Sequence, residues 1–358
     1  MGRGAQLKEL RRIVTFGLLV AAISLQLGAS ERQEAWRLDL RKALKKGGIA
    51  LPPDTPILRL RFSPDGRRIA VLVPAETGKT NQLLVIDAET PEVAIRPFDV
   101  GASTNDLSWE PSGDRILASG SVVRLADGRS CQAKIGEEYT HGGGFLADNL
   151  IITEEGNYLA TSFAFLDSSC QKIDSWDVPR DWHLKQTVGS RILVQVSPRW
   201  FRAFDVLPAG SRKEVLDKEG TRAVFAEDGK TLCTFDWTQK LRRFETTCWE
   251  ADTGKQIARL PPEYMMLSVS SMSASRILLE RFLSIPWFIT LTEDDTTLPW
   301  KMLVWDFRSG REVASWAPHG QKGTLTRPKE PFVYDISSDG NYIVEGGNGI
   351  IRLYKIRP

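Results

Sequence analysis

The chain of 358 residues is poor in the groups that most often carry chemistry. Its three His stand far apart. No His-x-x-x-His or Cys-x-x-Cys pair spaces two ligands for a transition metal. No Gly-x-Ser-x-Gly elbow occurs, and no strand–helix alternation leaves room for a hydrolase domain. The glycine run His141-Gly142-Gly143-Gly144-Phe145 lacks the helix and Lys of a phosphate loop and reads as a turn between repeats. The acidic triplet Glu293-Asp294-Asp295 offers hard-cation ligands, but alone in a loop it reads as a solvated tip. An excess of one charge is also missing. Lys and Arg number 47 against 45 Asp and Glu, with no concentrated basic face for nucleic acid. The expectation is no cofactor, no metal and no catalytic residue, leaning away from an enzyme.

Long apolar runs are scarce. The only one, Ile13 to Leu27, follows Arg3, Lys8, Arg11 and Arg12 and ends in Gly28-Ala29-Ser30. This is the order of a secretory signal, with cleavage after Ser30. The run is shorter than the roughly 20 residues of a membrane span, which favours cleavage over an uncleaved anchor. Ser30 stands where a lipoprotein box needs Cys, so no lipid anchor is expected. Residues 1–30 are therefore assigned to the signal and the mature chain to the periplasm or the exterior.

Cysteine is also sparse, at four residues, and in an exported chain an even count invites disulfides. Thr231 to Trp237 and Phe244 to Glu250 read as antiparallel neighbours around a hairpin at Gln239 to Arg242. Pairing Trp237 with Phe244 sets Cys233 opposite Cys248, within cross-strand reach. Cys131 and Cys170 look like one position in two successive repeats. Such positions are usually too far apart to bond, and two buried free thiols are the alternative.

What is abundant is strand, turn and tryptophan. Leu60-Arg61-Phe62-Ser63-Pro64-Asp65-Gly66-Arg67-Arg68-Ile69-Ala70-Val71 reads as two strands around an Asp-Gly turn, and the pattern returns from Val224 and from Tyr334. Seven units follow: Ile57 to Val100, Gly101 to about Glu138, Tyr139 to Val178, Pro179 to Glu219, Gly220 to Leu260, Pro261 to Pro318, and from Thr324 to the end. Units of about 40 residues with four strands have the propeller period. The eleven Trp are expected to pack blades together. The fold expected is all-β: a single seven-bladed β-propeller of four-stranded antiparallel blades over 47–358, with 31–46 as a linker or short helix. The last unit has three clear strands. Gly47 to Asp54 is positioned to supply the fourth, because an unpaired blade edge is a liability.

Phe62-Ser63-Pro64-Asp65-Gly66, Cys248-Trp249-Glu250-Ala251-Asp252-Thr253-Gly254 and Leu303-Val304-Trp305-Asp306 resemble the WD-repeat propellers, in a degenerate form. The first phrase is equally similar to the repeats of periplasmic Tol-associated propellers. Trp305-Asp306 is the one Trp-Asp pair at a strand end. Ile86-Asp87, Phe204-Asp205, Trp249-Glu250 and Tyr354-Lys355 hold that place elsewhere. Family blades often use a His before the first strand to hold that Trp, but His141, His183 and His319 do not complete such sets. They read as structural or surface residues. The resemblance implies an interaction scaffold.

One feature departs from the repeat. Ser284 to Lys301 is inserted between the second and third strands of unit six, with Trp287, Phe288 and Trp300 among its apolar residues. It reads either as a cap over the channel or as an aromatic surface for a partner. The expectation is a monomeric, non-enzymatic scaffold for a protein or small ligand, with those three aromatics as partner-binding residues. The rival readings are a propeller enzyme, lactonase-like or a cofactor-dependent dehydrogenase, with its site at the channel mouth, and an envelope assembly or transport component. Two carboxylates and a His at one mouth would favour the enzyme.

Overall fold

Along the second strand of the first repeat, Arg68–Pro74, side chains alternate between two destinations. Ile69, Val71 and Val73 join one buried cluster, and Ala70 and Leu72 join another. Period-two alternation with both faces apolar makes a strand buried on both sides. Such a sheet needs a neighbour on each face, and repetition around a ring provides both.

The computed structural model describes residues 32–46, 51, 55–76, 79–102, 106–133, 140–146, 150–156, 160–207, 211–238, 243–260, 264–265, 272–282, 300–316 and 332–356. The signal segment, Glu293-Asp294-Asp295 and His319 lie outside them. The strands form seven four-stranded antiparallel sheets. Blades one to six span Arg59–Val100, Leu107–Gln132, Thr140–Val178, His183–Glu219, Arg222–Arg259 and Tyr264–Trp316, as the repeats predict. The seventh comprises Val333–Ile336, Tyr342–Gly347 and Ile350–Lys355, completed by an N-terminal strand. Seven apolar clusters each join two consecutive blades, the first closing blade seven onto blade one. Trp109, Trp305 and Trp316 are buried in them.

The first strands of neighbouring blades pack together around the centre, so they line the channel. They run the same way. A Cβ on Gly142 would meet the Leu184 carbonyl, and one on Gly144 would meet Thr187. The strand ends at which first strands begin, with the loops joining second to third strands, form what we term the upper face. The other turns form the lower face.

The recurring Asp-Gly turn has a common construction. Gly66, Gly113, Gly229 and Gly340 adopt positive φ, and their amides donate back to the carbonyls of Ser63, Glu110, Ala226 and Ser337 at 2.8–2.9 Å. Asp65 accepts from the Arg67 amide, Asp228 from Lys230 and Asp339 from Asn341. The acid at the end of the third strand has a parallel use. Asp87 accepts from the amides of Glu89 and Thr90, and Asp306 from those of Arg308 and Ser309. These are side-chain-capped turns, which explains their recurrence without a ligand.

Two expectations are corrected here. The strand that completes blade seven is Gln33–Asp39, not Gly47 to Asp54; it lies in the span expected as a linker or short helix. As an outermost strand it is mostly exposed, so its charges concealed it. Trp36 and Leu38 are its inward residues, and the Trp36 Nε1–H donates to the Ala88 carbonyl of blade one at 2.8 Å. Arg32 lies over the rings of Tyr354 and Trp316 and pairs with Glu345. A short helix, Leu40–Lys46, follows and buries Leu40 and Leu44. The second correction concerns His141 to Phe145. This is not a turn but most of the first strand of blade three, Thr140–Phe145. Its glycines admit the neighbours: a Cβ on Gly144 would lie 2.0 Å from Thr187 Oγ1.

Both cysteine pairs are disulfides, and no described cysteine is free. Cys233 pairs with Cys248 in the predicted register, Trp237 opposite Phe244, with Cα atoms 4.0 Å apart. Cys131 and Cys170 do not occupy equivalent positions, contrary to the repeat reading. Cys131 is on the outer strand of blade two, and Cys170, at positive φ, is in the turn before the outer strand of blade three. The Cα separation of 6.0 Å suits a bond between blades.

Candidate functional site at the upper channel mouth

An innermost strand has one edge with no neighbouring strand, so its amides need other acceptors. Several buried acids meet that need. Glu154, 1% exposed, comes from the second strand of blade three. Its Oε2 accepts from the Leu184 amide at 2.7 Å, and its Oε1 lies 2.8 Å from His183 Nδ1. Asp335 of blade seven likewise accepts from the Phe62 amide of blade one at 2.7 Å, while Asp106, before the first strand of blade two, accepts at 2.8 Å from the Gly120 amide in the turn between that blade's second and third strands.

A cavity of about 490 Å³ lies against the first strands of blades one to four. Its wall includes Arg59 and Arg61 from blade one, Asp106 and Ser108 from blade two, Gly142, Gly143 and Glu154 from blade three, and His183, Lys185 and Thr187 from blade four. Arg61 reaches the Leu107 carbonyl at 3.4 Å. The side chains of Arg59 and Lys185 have no hydrogen-bonded partner among the described residues. Water reaches both, yet the channel wall flanks them. Burial lowers the pKa of each; neighbouring Arg61 adds to the effect at Arg59, while Glu154 opposes it at Lys185.

Further down, the channel changes sign. Glu227, in the lower turn of blade five, interacts with Asp335 and Asp339 of blade seven and with Arg61 of blade one. Burial, then the charge of Asp335, raises its pKa to about 8 against the opposing effect of Arg61. Arg59, Arg61 and Lys185 stand in the upper part with Asp106 and Glu154, and Glu227, Asp335 and Asp339 gather below.

Of the predicted partner-binding residues, Trp287 and Phe288 lie outside the described residues. Trp300 opens the third strand of blade six opposite Phe282, so the inserted segment leaves and rejoins the blade on the upper face. The smaller Pro74–Asn81 loop is on the same face. Sequence reading missed the channel wall, because Arg59 and Lys185 are brought together only by ring closure. His183 was read as structural or surface; it is both a ligand of Glu154 and a wall residue. Trp200, 45% exposed at the upper turn of blade four, was also missed. A second groove, about 740 Å³, runs between blades two and three beside Cys131, but its Arg115 is paired with Glu110 and its Arg124 and Arg129 with Asp127. Among the described residues no helix is long and apolar enough to cross a membrane, and no group of three His, Cys, Asp or Glu is placed to hold a metal.

These features define a seven-bladed β-propeller whose last blade is closed by an N-terminal strand. In fold it is a WD-like propeller. The β-propeller domain of Cps50 (Swd1) from Myceliophteria thermophila is similar over 86% of this chain and all of its own, with TM-score 0.55 and 12% identity. A chain of the mitotic checkpoint complex covers 92% and 93%, with TM-score 0.57 and 11% identity. The WD40 repeats of RRP9 cover 91% and 100%, with TM-score 0.56 and 10% identity. At these identities the likeness is one of fold. No family profile and no curated protein sequence matches the chain.

Proposed function

We propose that this chain is an exported, non-enzymatic and monomeric scaffold that presents its upper face to a protein partner. The observation that carries this reading is the convergence on one face of three recognition features: the blade-six insertion, exposed Trp200 and the polar channel mouth. Trp287, Phe288 and Trp300 are the proposed anchors, since buried aromatics dominate binding hot spots. Two disulfides favour a periplasmic or secreted location, because such bonds persist in oxidising compartments. A fold shared with a chain of a multiprotein checkpoint assembly agrees with a scaffold role. The test is capture from the native cell envelope with the intact protein and with a form in which residues 284–301 are replaced by a short Gly-containing turn. A stoichiometric partner held only by the intact form supports the reading. The same partner held by both forms moves the contact elsewhere.

A second reading rests on one observation: Asp106, Glu154 and His183 share a cavity, the constellation expected of a propeller enzyme. Both acids are buried and bonded to backbone amides, which favours a structural role. A hydrolase and lactonase screen of wild type and His183→Ala separates the two.

A further inference from the structure

The channel mouth has a charge arrangement that ring construction does not require. Glu154 and Asp106 satisfy backbone amides. The cations have no such duty: the side chains of Arg59 and Lys185 form no hydrogen bond among the described residues, although both line the cavity. Among the described residues the acids in the cavity wall are Asp106 and Glu154, and oxygens of both already accept amide protons. Like charges sit side by side in Arg59 and Arg61, and an anion between them would relieve their repulsion.

From this geometry we infer that the upper channel mouth binds a compact polyanion, a small molecule bearing phosphate or carboxylate groups, between Arg59 and Arg61 of blade one and Lys185 of blade four. Guanidinium forks match tetrahedral and planar oxyanions, and an ammonium adds a point charge. The 490 Å³ volume is that of a small-molecule pocket. Ser108 and Thr187, also in the wall, offer hydroxyl donors. This inference does not depend on the scaffold reading, because none of its residues lies in the insertion.

The test is isothermal titration of the mature protein with inorganic pyrophosphate and, separately, citrate, at fixed ionic strength. The expected result is saturable one-to-one binding of at least one anion, and comparing the two distinguishes a phosphate from a carboxylate ligand. Arg59→Gln and Lys185→Gln are each expected to weaken it about tenfold or more, and Lys185→Glu to abolish it. Arg124→Gln, in the groove between blades two and three, leaves it unchanged, as does replacing residues 284–301. Thermal melts establish that each variant folds; Arg59→Lys, which keeps the charge, recovers part of the affinity. Absence of saturable binding to either anion overturns the inference. So does equal affinity in wild type, Arg59→Gln and Lys185→Gln. Binding of a Glu-rich peptide with neither small anion bound also overturns it, assigning the mouth to an acidic polypeptide.

Discussion

Arg276 Nη1 of blade six donates to the Gly340 carbonyl of blade seven at 2.7 Å. The same relationship joins Arg68 to Gly113 at 2.8 Å and Arg191 to Gly229 at 2.6 Å. In each case an Arg opening a second strand reaches the Asp-Gly-type turn of the next blade. The turn therefore reverses the chain within its own blade and receives the preceding one. Arg276→Met is expected to lower stability by about 1–2 kcal/mol, since it leaves a partly buried carbonyl without its donor. Urea unfolding measures this, and an unchanged midpoint and slope would remove the Arg–turn contact from the account.

Asp335 is buried and its Oδ2 holds the Phe62 amide across the ring-closing junction. Asp335→Ala leaves that amide unsatisfied at a strand edge, at an expected cost of about 1–3 kcal/mol. Hydrogen exchange at Phe62 is the direct readout. It should quicken in the variant by far more than at amides within blade four.

The backbone architecture was legible in the sequence because each blade repeats a local pattern. Apolar alternation marks strands, and Gly at positive φ with a preceding Asp marks turns such as Asp65-Gly66 and Asp339-Gly340. The Cys233–Cys248 bond was legible for the same reason, being set by the register of a single hairpin. The closing strand was not. An edge strand contacts the sheet on one side, so Glu34, Ala35 and Arg37 stay exposed and resemble a solvated linker. The Cys131–Cys170 bond and the Arg59–Lys185 pocket depend on contacts between blades, which local patterns do not encode. The glycines of blade three were misread because their smallness answers to neighbouring blades, not to a turn.

Gly144→Ala tests that last point. The added methyl would meet Thr187 at the junction of blades three and four. Destabilisation of about 1–3 kcal/mol is expected from the overpacking. Combined with Thr187→Ala it should cost less than the sum of the two single changes, a non-zero coupling in a double-mutant cycle. Strict additivity would place the strain elsewhere.

The lower channel predicts a pH dependence. Glu227 has a pKa raised from 4.5 to about 8 by burial and by Asp335. The folded state thus binds this proton more tightly than the unfolded chain. Its contribution is fully present below pH 4.5 and is lost as pH rises through about 8. Between those values wild type should lose stability relative to Glu227→Gln, whose side chain does not titrate. Parallel stability curves for the two proteins across that window would contradict the raised pKa.

The most direct test of an exported, ring-closed propeller is the mass of the protein isolated from its native cells, with thiols alkylated at lysis and no reductant added. The account predicts no alkyl group added, a chain beginning at Glu31, and, after digestion, peptides joined as Cys131–Cys170 and Cys233–Cys248. Four alkylated cysteines on a chain that retains residues 1–30 would contradict it, removing both the oxidising compartment and the bond between blades two and three.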